Sequence, residues 1–200
     1  MMALPAAAAP SRQRTLLVGT VLASVAVVML VAGLLAVYVH LRDAAGGSTA
    51  EWVPDSVIIP DIATTMMLVT MIGASVTVQW AYHAIGRNDR RHTYLALALT
   101  AIFGFAVLNA QIFTYQQLAL PIAVEGDELA SRYSVLVYAV TGTFVALLIT
   151  GIVFAAVMTF RTLGGRYSAR DHEGIAAAAL YWHVLTAVFA AVWYVVYVVK

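Results

Sequence analysis

The sequence predicts an all-α polytopic membrane protein, a bundle of five transmembrane helices. Three observations predict it. Hydrophobic residues make up 62% of the 200 and charged residues only 10%, against roughly a quarter charged in a soluble domain. So few charges cannot cover a water-facing surface, and the mean hydropathy of +0.88 agrees. Five windows, 15–41, 62–86, 92–124, 133–160 and 174–199, contain no Asp, Glu, Lys or Arg, and each exceeds the ~20 apolar residues that cross a bilayer core. Finally, arginines concentrate in alternate connections, the bias that orients membrane spans.

Each window reads as a helix rather than a strand. The apolar runs are continuous instead of alternating, and they far exceed the ~9–11 residues of a barrel strand. Backbone groups in lipid must also bond within their own segment. No proline falls at the centre of a window; Pro60 precedes the second, and Pro121 stands where the third leaves the membrane. The spans are therefore expected at about 16–41, 62–85, 93–117, 133–159 and 176–199. The first run is too long for the ~7–15-residue apolar region of a signal peptide, and no small-residue cleavage pattern follows it. Residues 1–14 are expected to form a disordered cytoplasmic tail and 15–200 a single membrane domain. Short connections make consecutive helices expected neighbours.

Direction follows from the basic residues. Arg12, Arg14, Arg87, Arg90, Arg91, Arg161, Arg166 and Arg170 fall in the N-terminal tail and in the second and fourth connections. Arg42, Arg132 and Lys200 fall on the other side, eight against three. Acidic residues show the reverse bias, with Asp43, Glu51, Asp55, Asp61, Glu125, Asp127 and Glu128 opposite the arginine-rich side. This puts the N-terminus in the cytoplasm and the C-terminus outside. Trp52, in the long 42–61 connection, reads as an interfacial anchor, and the polar 118–132 connection as a cap on the outer face.

Composition also removes several chemistries. There is no cysteine, hence no disulfide, thiolate metal site, iron–sulfur cluster or covalent haem attachment. No ionisable Asp, Glu, Lys or Arg lies at depth, which argues against an ion transporter or proton pump acting alone, and no Gly/Pro-interrupted span offers an alternative ion site. His83 and His183 fall at similar depths, so either they ligate a b-type haem or, as is commoner for a lone histidine, they pack through hydrogen bonds. No nucleophile–base pattern, phosphate loop or nucleic-acid patch stands out. The inner arginines are explained by topology and anionic headgroups. Among the polar residues at depth, Thr64, Thr65, Thr70, Ser75, Thr77, Gln79, Asn109, Gln111 and Thr114, Gln79 and Gln111 stand out as interhelical hydrogen-bonding groups. Gly142, Ala146 and Thr150, four apart, form a small-residue stripe that faces either a helix of this chain or a partner.

Several stretches, in order, resemble subunit III of the haem–copper cytochrome c oxidases. Tyr181-Trp182-His183 resembles the Tyr-Trp-His that opens that family's last span, and the chain runs from there through Tyr197 to Lys200. Gly19-Thr20 to Met29, Ala32-Gly33-Leu34 and Tyr38 resemble the helix that begins its short bacterial forms. Ser75-x-Thr77-x-Gln79, running to Arg87-x-Asp89, resembles the next helix and its inner turn. Gln111-Ile-Phe-Thr-Tyr115 resembles Gln-x-x-Glu-Tyr, and Tyr133, Tyr138, Thr141-Gly142 and Gly151 fit the fourth helix. The resemblance covers all five spans, as in the five-helix bacterial form. There are departures: Val27, Thr114 and Thr186 stand where the family has carboxylates, and Phe144 and Leu147 where it has histidines.

The resemblance implies a non-catalytic accessory subunit of a terminal oxidase that reduces oxygen to water in aerobic respiratory electron transport. It implies a multi-pass protein of the plasma membrane that packs against catalytic subunit I and the other oxidase subunits. Haem and copper are then expected in the partner and none in this chain, with phospholipid held in a cleft between the helices. The implied lipid or subunit contacts are Trp182, His183, Gln79, Arg87, Gln111 and Tyr115, each with packing inside the chain as the alternative. Two further readings are an accessory subunit of a nitric oxide reductase or other respiratory complex, and a small-molecule transporter or free-standing membrane scaffold.

Overall fold

A computed structural model describes residues 14–45, 52–54, 57–121 and 128–199. Five long apolar helices run through it: α1 Thr15–Ala44, α2 Asp61–Gly86, α3 Arg90–Leu118, α4 Glu128–Leu163 and α5 Glu173–Val192. A π-helical turn, Trp193–Val198, extends α5. Each helix is long and apolar enough to cross a membrane. The expected 1–14 tail lies outside the described residues except for Arg14, as do 122–127 of the third connection.

The helices exceed the expected spans because their polar ends continue the hydrogen-bond ladder beyond the apolar run. α4, 36 residues long, starts five residues before Tyr133, through Glu128 to Arg132. Local chemistry sets the other ends. Asp89 caps α3, its carboxylate accepting the backbone N–H of His92 at 3.1 Å. The α2–α3 turn closes through Asn88 at φ 59°, a left-handed conformation that asparagine tolerates. α4 ends in a turn through Gly165 at φ 72°.

α2, α3, α4 and α5 form a closed ring in which each consecutive pair packs together and α5 returns to α2. An uncharged hydrogen bond joins every interface of the ring. Thr77 and Thr100 share one at 2.8 Å between α2 and α3. The Tyr115 hydroxyl donates to Thr141 at 2.8 Å between α3 and α4. The Tyr181 hydroxyl donates to the Leu147 carbonyl at 2.8 Å between α4 and α5, and Ser75 and Thr186 share one at 2.8 Å between α5 and α2. Such bonds contribute about 0.6 kcal/mol each within a membrane, so they set register while van der Waals packing supplies most of the cohesion.

α1 departs from the expectation that neighbours in sequence are neighbours in space. It packs on α5, and less extensively on α4, rather than on α2. Trp52, in the connection from α1 to α2, lies against both α1 and α4. Trp52 departs likewise from its expected role as an interfacial anchor. It is 1% exposed, held edge-on between Tyr38 of α1 and Tyr133 of α4 with ring centroids 5.5 and 5.7 Å away. Burying an indole between two phenols gains more apolar contact than leaving it at the surface.

Glycines let α3, α4 and α5 approach one another closely. A Cβ on Gly104 would stand 2.6 Å from Ile152 and 2.9 Å from Trp182, and one on Gly151 would stand 3.1 Å from Tyr181. Trp182, fully buried, fills the space these two glycines leave. The Gly142 stripe does not serve this purpose: a Cβ on Gly142 would meet nothing within 4 Å, and Ala146 and Thr150 are exposed.

Candidate functional site

The second and fourth connections lie at one end of the bundle. The Ala169 backbone N–H donates to Asn88 at 2.7 Å, and Gly165 sits beside the Arg90 guanidinium. That end carries Arg87, Arg90, Arg91, Arg161, Arg166 and Arg170. α1 begins there too, because the Leu17 backbone N–H donates to the Glu173 carboxylate at 2.9 Å. Arg14 gives α1 no side-chain cap, so Glu173 supplies the negative charge that both α1 and its own helix favour at an N-terminus.

From this basic end a polar seam rises between α2 and α5. Ser75, Gln79 and His83 follow one another at four-residue steps along α2, and Arg87 continues the spacing just beyond the helix. His183 and Thr186 face them from α5. The Nε2–H of His183 donates to the Gln79 carboxamide oxygen at 2.9 Å, and the Gln79 amide donates to Nε2 of His83 at 3.0 Å. This pattern gives the two neutral imidazoles opposite tautomers, with the proton on Nε2 of His183 and on Nδ1 of His83. Farther along, the Thr186 hydroxyl donates to the Trp182 carbonyl at 2.9 Å and approaches the Met71 carbonyl at 3.2 Å.

The seam opens on the outside of the bundle. His83 and His183 are exposed, and Ser75, Gln79 and Thr186 half-buried. A haem between His83 and His183 would need both Nε2 atoms that Gln79 engages. Among the described residues, no group of three or more His, Cys, Asp or Glu stands together as a metal site.

The six residues singled out by sequence divide into three settings. Gln79 and His183 are in direct contact, with Arg87 exposed just past their end of α2. Gln111 and Tyr115 lie one turn apart near the far end of α3. Gln111 is fully buried beside the Tyr115 and Tyr197 hydroxyls, without a hydrogen bond of regular geometry among the described residues. Tyr115 bonds Thr141 and stacks edge-on against Tyr138 at 5.4 Å. Trp182 is sealed in the core between α3, α4 and α5. Ser75, His83 and Thr186 complete the seam without being among the six; their spacing from Gln79 and His183 is the signal in the sequence.

A groove lies on the other flank of α5. Gly19 and Ala23 of α1, Thr150 and Phe154 of α4 and Tyr181 of α5 line a cavity of about 530 Å³. It shares Thr15 and Leu16 with a cavity of about 630 Å³ at the basic end, lined by Arg161, Arg166, Tyr167 and Glu173. An apolar groove thus meets a charged recess in which Arg161 and Arg166 stand with the carboxylates Asp171 and Glu173.

Known proteins resemble this chain as follows. A family model described as cytochrome c oxidase subunit III matches residues 6–200. Cytochrome c oxidase subunit 3 of Salmo salar is 29% identical over 148 residues, 73% of this chain and 54% of the relative. The Strongylocentrotus purpuratus protein of that name is 28% identical over 148 residues, 73% and 55% of the two chains. The one from Prototheca wickerhamii is 32% identical over 139 residues, 70% and 49%. The chain spans about half the length of the curated relatives it matches.

Proposed function

Because the chain belongs to the cytochrome c oxidase subunit III family, we propose that it is a non-catalytic accessory subunit of a haem–copper terminal oxidase. In this reading the haem and copper that reduce oxygen to water belong to catalytic subunit I. This chain, in the plasma membrane with its basic end in the cytoplasm, lends that subunit a rigid packing surface.

The observation that carries the reading is the seam on α2 and α5. Two imidazoles and a carboxamide on the outside of a bundle are poorly matched to acyl chains. They are well matched to a neighbouring helix that offers donors and acceptors. The seam's own hydrogen bonds hold these groups in place before the partner arrives, which reduces the ordering cost of docking. We therefore assign the seam, with Arg87 at its basic end, to contact with the oxidase core. Trp182, Gln111 and Tyr115 support that contact indirectly, by fixing the helices that carry it.

The groove beside α1 suits a phospholipid. Its apolar channel along Gly19, Ala23 and Phe154 matches an acyl chain, and Arg161 and Arg166 match a headgroup phosphate. Such a lipid would join α1, the least buried helix, to α4 and α5.

Purification of the tagged chain from native membranes in mild detergent tests the proposal. It is expected to recover a catalytic subunit with a haem a spectrum, and His183→Ala to weaken that recovery. Recovery of a haem b-only reductase instead would reassign the chain to another respiratory complex. A stable particle without any haem protein would overturn the reading in favour of a transporter or scaffold.

A further inference from the structure

α3 presents a second outward face, diagonally across the ring from α5. Ile102, Phe105, Asn109, Ile112 and Gln116 are all exposed, spaced three and four apart, and on a helix this spacing makes one stripe. Asn109 is at its centre. It stands nine residues, about 14 Å, from the end of α3 at Leu118 and about 28 Å from its start, which is inside a hydrocarbon core ~30 Å thick. No side-chain hydrogen bond joins Asn109 to the other described residues. The carboxamide therefore offers donors and an acceptor in a medium that supplies neither, a position that favours association with another helix.

We infer that this face of α3 pairs with the same face of a second copy of this chain, Asn109 against Asn109. Three features favour a second copy. A carboxamide is its own complement, since each can donate to and accept from the other. Copies in one membrane share orientation, so a two-fold axis along the bilayer normal sets the two α3 helices parallel, with equal residues at equal depth. The 3–4 spacing, with Ile102, Asn109 and Gln116 recurring every seven residues, is that of a parallel helix pair, in which a single buried asparagine fixes register. No charge lies on the stripe to repel its copy. The α2–α5 seam faces elsewhere, so pairing through α3 leaves it free, and the inference does not rest on the oxidase assignment.

Because the chain lacks cysteine, single cysteines report the contact cleanly in native membranes. Gln116→Cys, which retains Asn109, is expected to oxidise to a disulfide-linked species of twice the chain's mass. Met29→Cys, on the lipid-exposed side of α1, should give little. Adding Asn109→Leu to Gln116→Cys should weaken association about tenfold, in the range measured for such groups in model helices, and Asn109→Gln should restore it. Any of three results overturns the inference: no doubled species from Gln116→Cys, equal yield from Met29→Cys, or a cross-linked product whose second chain is a different protein.

Discussion

The Gln79 carboxamide oxygen accepts a hydrogen bond from the His183 Nε2–H at 2.9 Å, tying α2 to α5 at the surface of the bundle. The amide nitrogen of Gln79 is thereby committed to His83 at 3.0 Å. Gln79→Leu should remove both bonds, at a cost of about 0.6 kcal/mol for each. Imidazole nitrogen shifts read the arrangement directly. The wild type should show the Nε2–H tautomer at His183 and the Nδ1–H tautomer at His83, and the variant should lose that distinction. A Leu variant with unchanged shifts and unchanged unfolding would contradict the described seam.

Thr186 makes a more central test. Its hydroxyl meets Ser75 at 2.8 Å, the Trp182 carbonyl at 2.9 Å and the Met71 carbonyl at 3.2 Å. Thr186→Val should destabilise the α2–α5 interface by about 0.6–1.7 kcal/mol, whereas Thr186→Ser keeps the hydroxyl and should lie close to wild type. Unfolding in a detergent titration distinguishes them. Equal losses in both variants would mean that methyl packing, not the hydrogen bond, matters at this site.

Glycine positions predict a contrast that composition alone does not. A methyl at Gly104 would stand 2.6 Å from Ile152 and 2.9 Å from Trp182, so Gly104→Ala should cost about 1–3 kcal/mol by overpacking. A methyl at Gly142 meets open space, so Gly142→Ala should be nearly neutral. Thermal unfolding of the purified variants gives the comparison, and a neutral Gly104→Ala would rule out the close approach of α3 to α4 and α5.

At the basic end, Asp89 accepts hydrogen bonds from the His92 backbone N–H and ring Nδ1, which hold its carboxyl below the usual carboxylate range. A carboxyl whose folded value is lowered contributes stability in full above its unfolded value, and loses it as pH falls through the folded one. The α2–α3 turn should therefore loosen on acidification below about pH 4, and Asp89→Asn should abolish that dependence. A carboxyl carbon titration of the labelled protein in micelles measures it; a midpoint at or above the ordinary value would contradict the described cap.

Much of the bundle was legible because lipid demands an unmistakable pattern. Five charge-free runs set the number of helices, and the arginines marked Arg87, Arg90, Arg161 and Arg166 as one end. The position of α1 was not legible. Its contact with Glu173 joins residues 156 apart in the chain, and an all-round apolar helix does not say which neighbour it meets. The burial of Trp52 between Tyr38 and Tyr133 was not legible, because an interfacial tryptophan and one packed between two helices have the same local sequence. In the seam, Gln79 and His183 were singled out, but their contact was not, since it depends on the rotation of α2 relative to α5. Thr186 entered only as a departure from the family's aspartate, yet its hydroxyl serves the interface without a charge.

In the proposed role, this chain gives shape to a redox partner and performs no redox chemistry itself. The most direct measurement is the haem and metal content of the tagged chain before and after a stronger detergent releases it from its complex. Visible haem absorbance and copper are expected to leave with the partner, and the released chain, still helical, to carry neither. Haem or metal held stoichiometrically by the released chain would contradict that role.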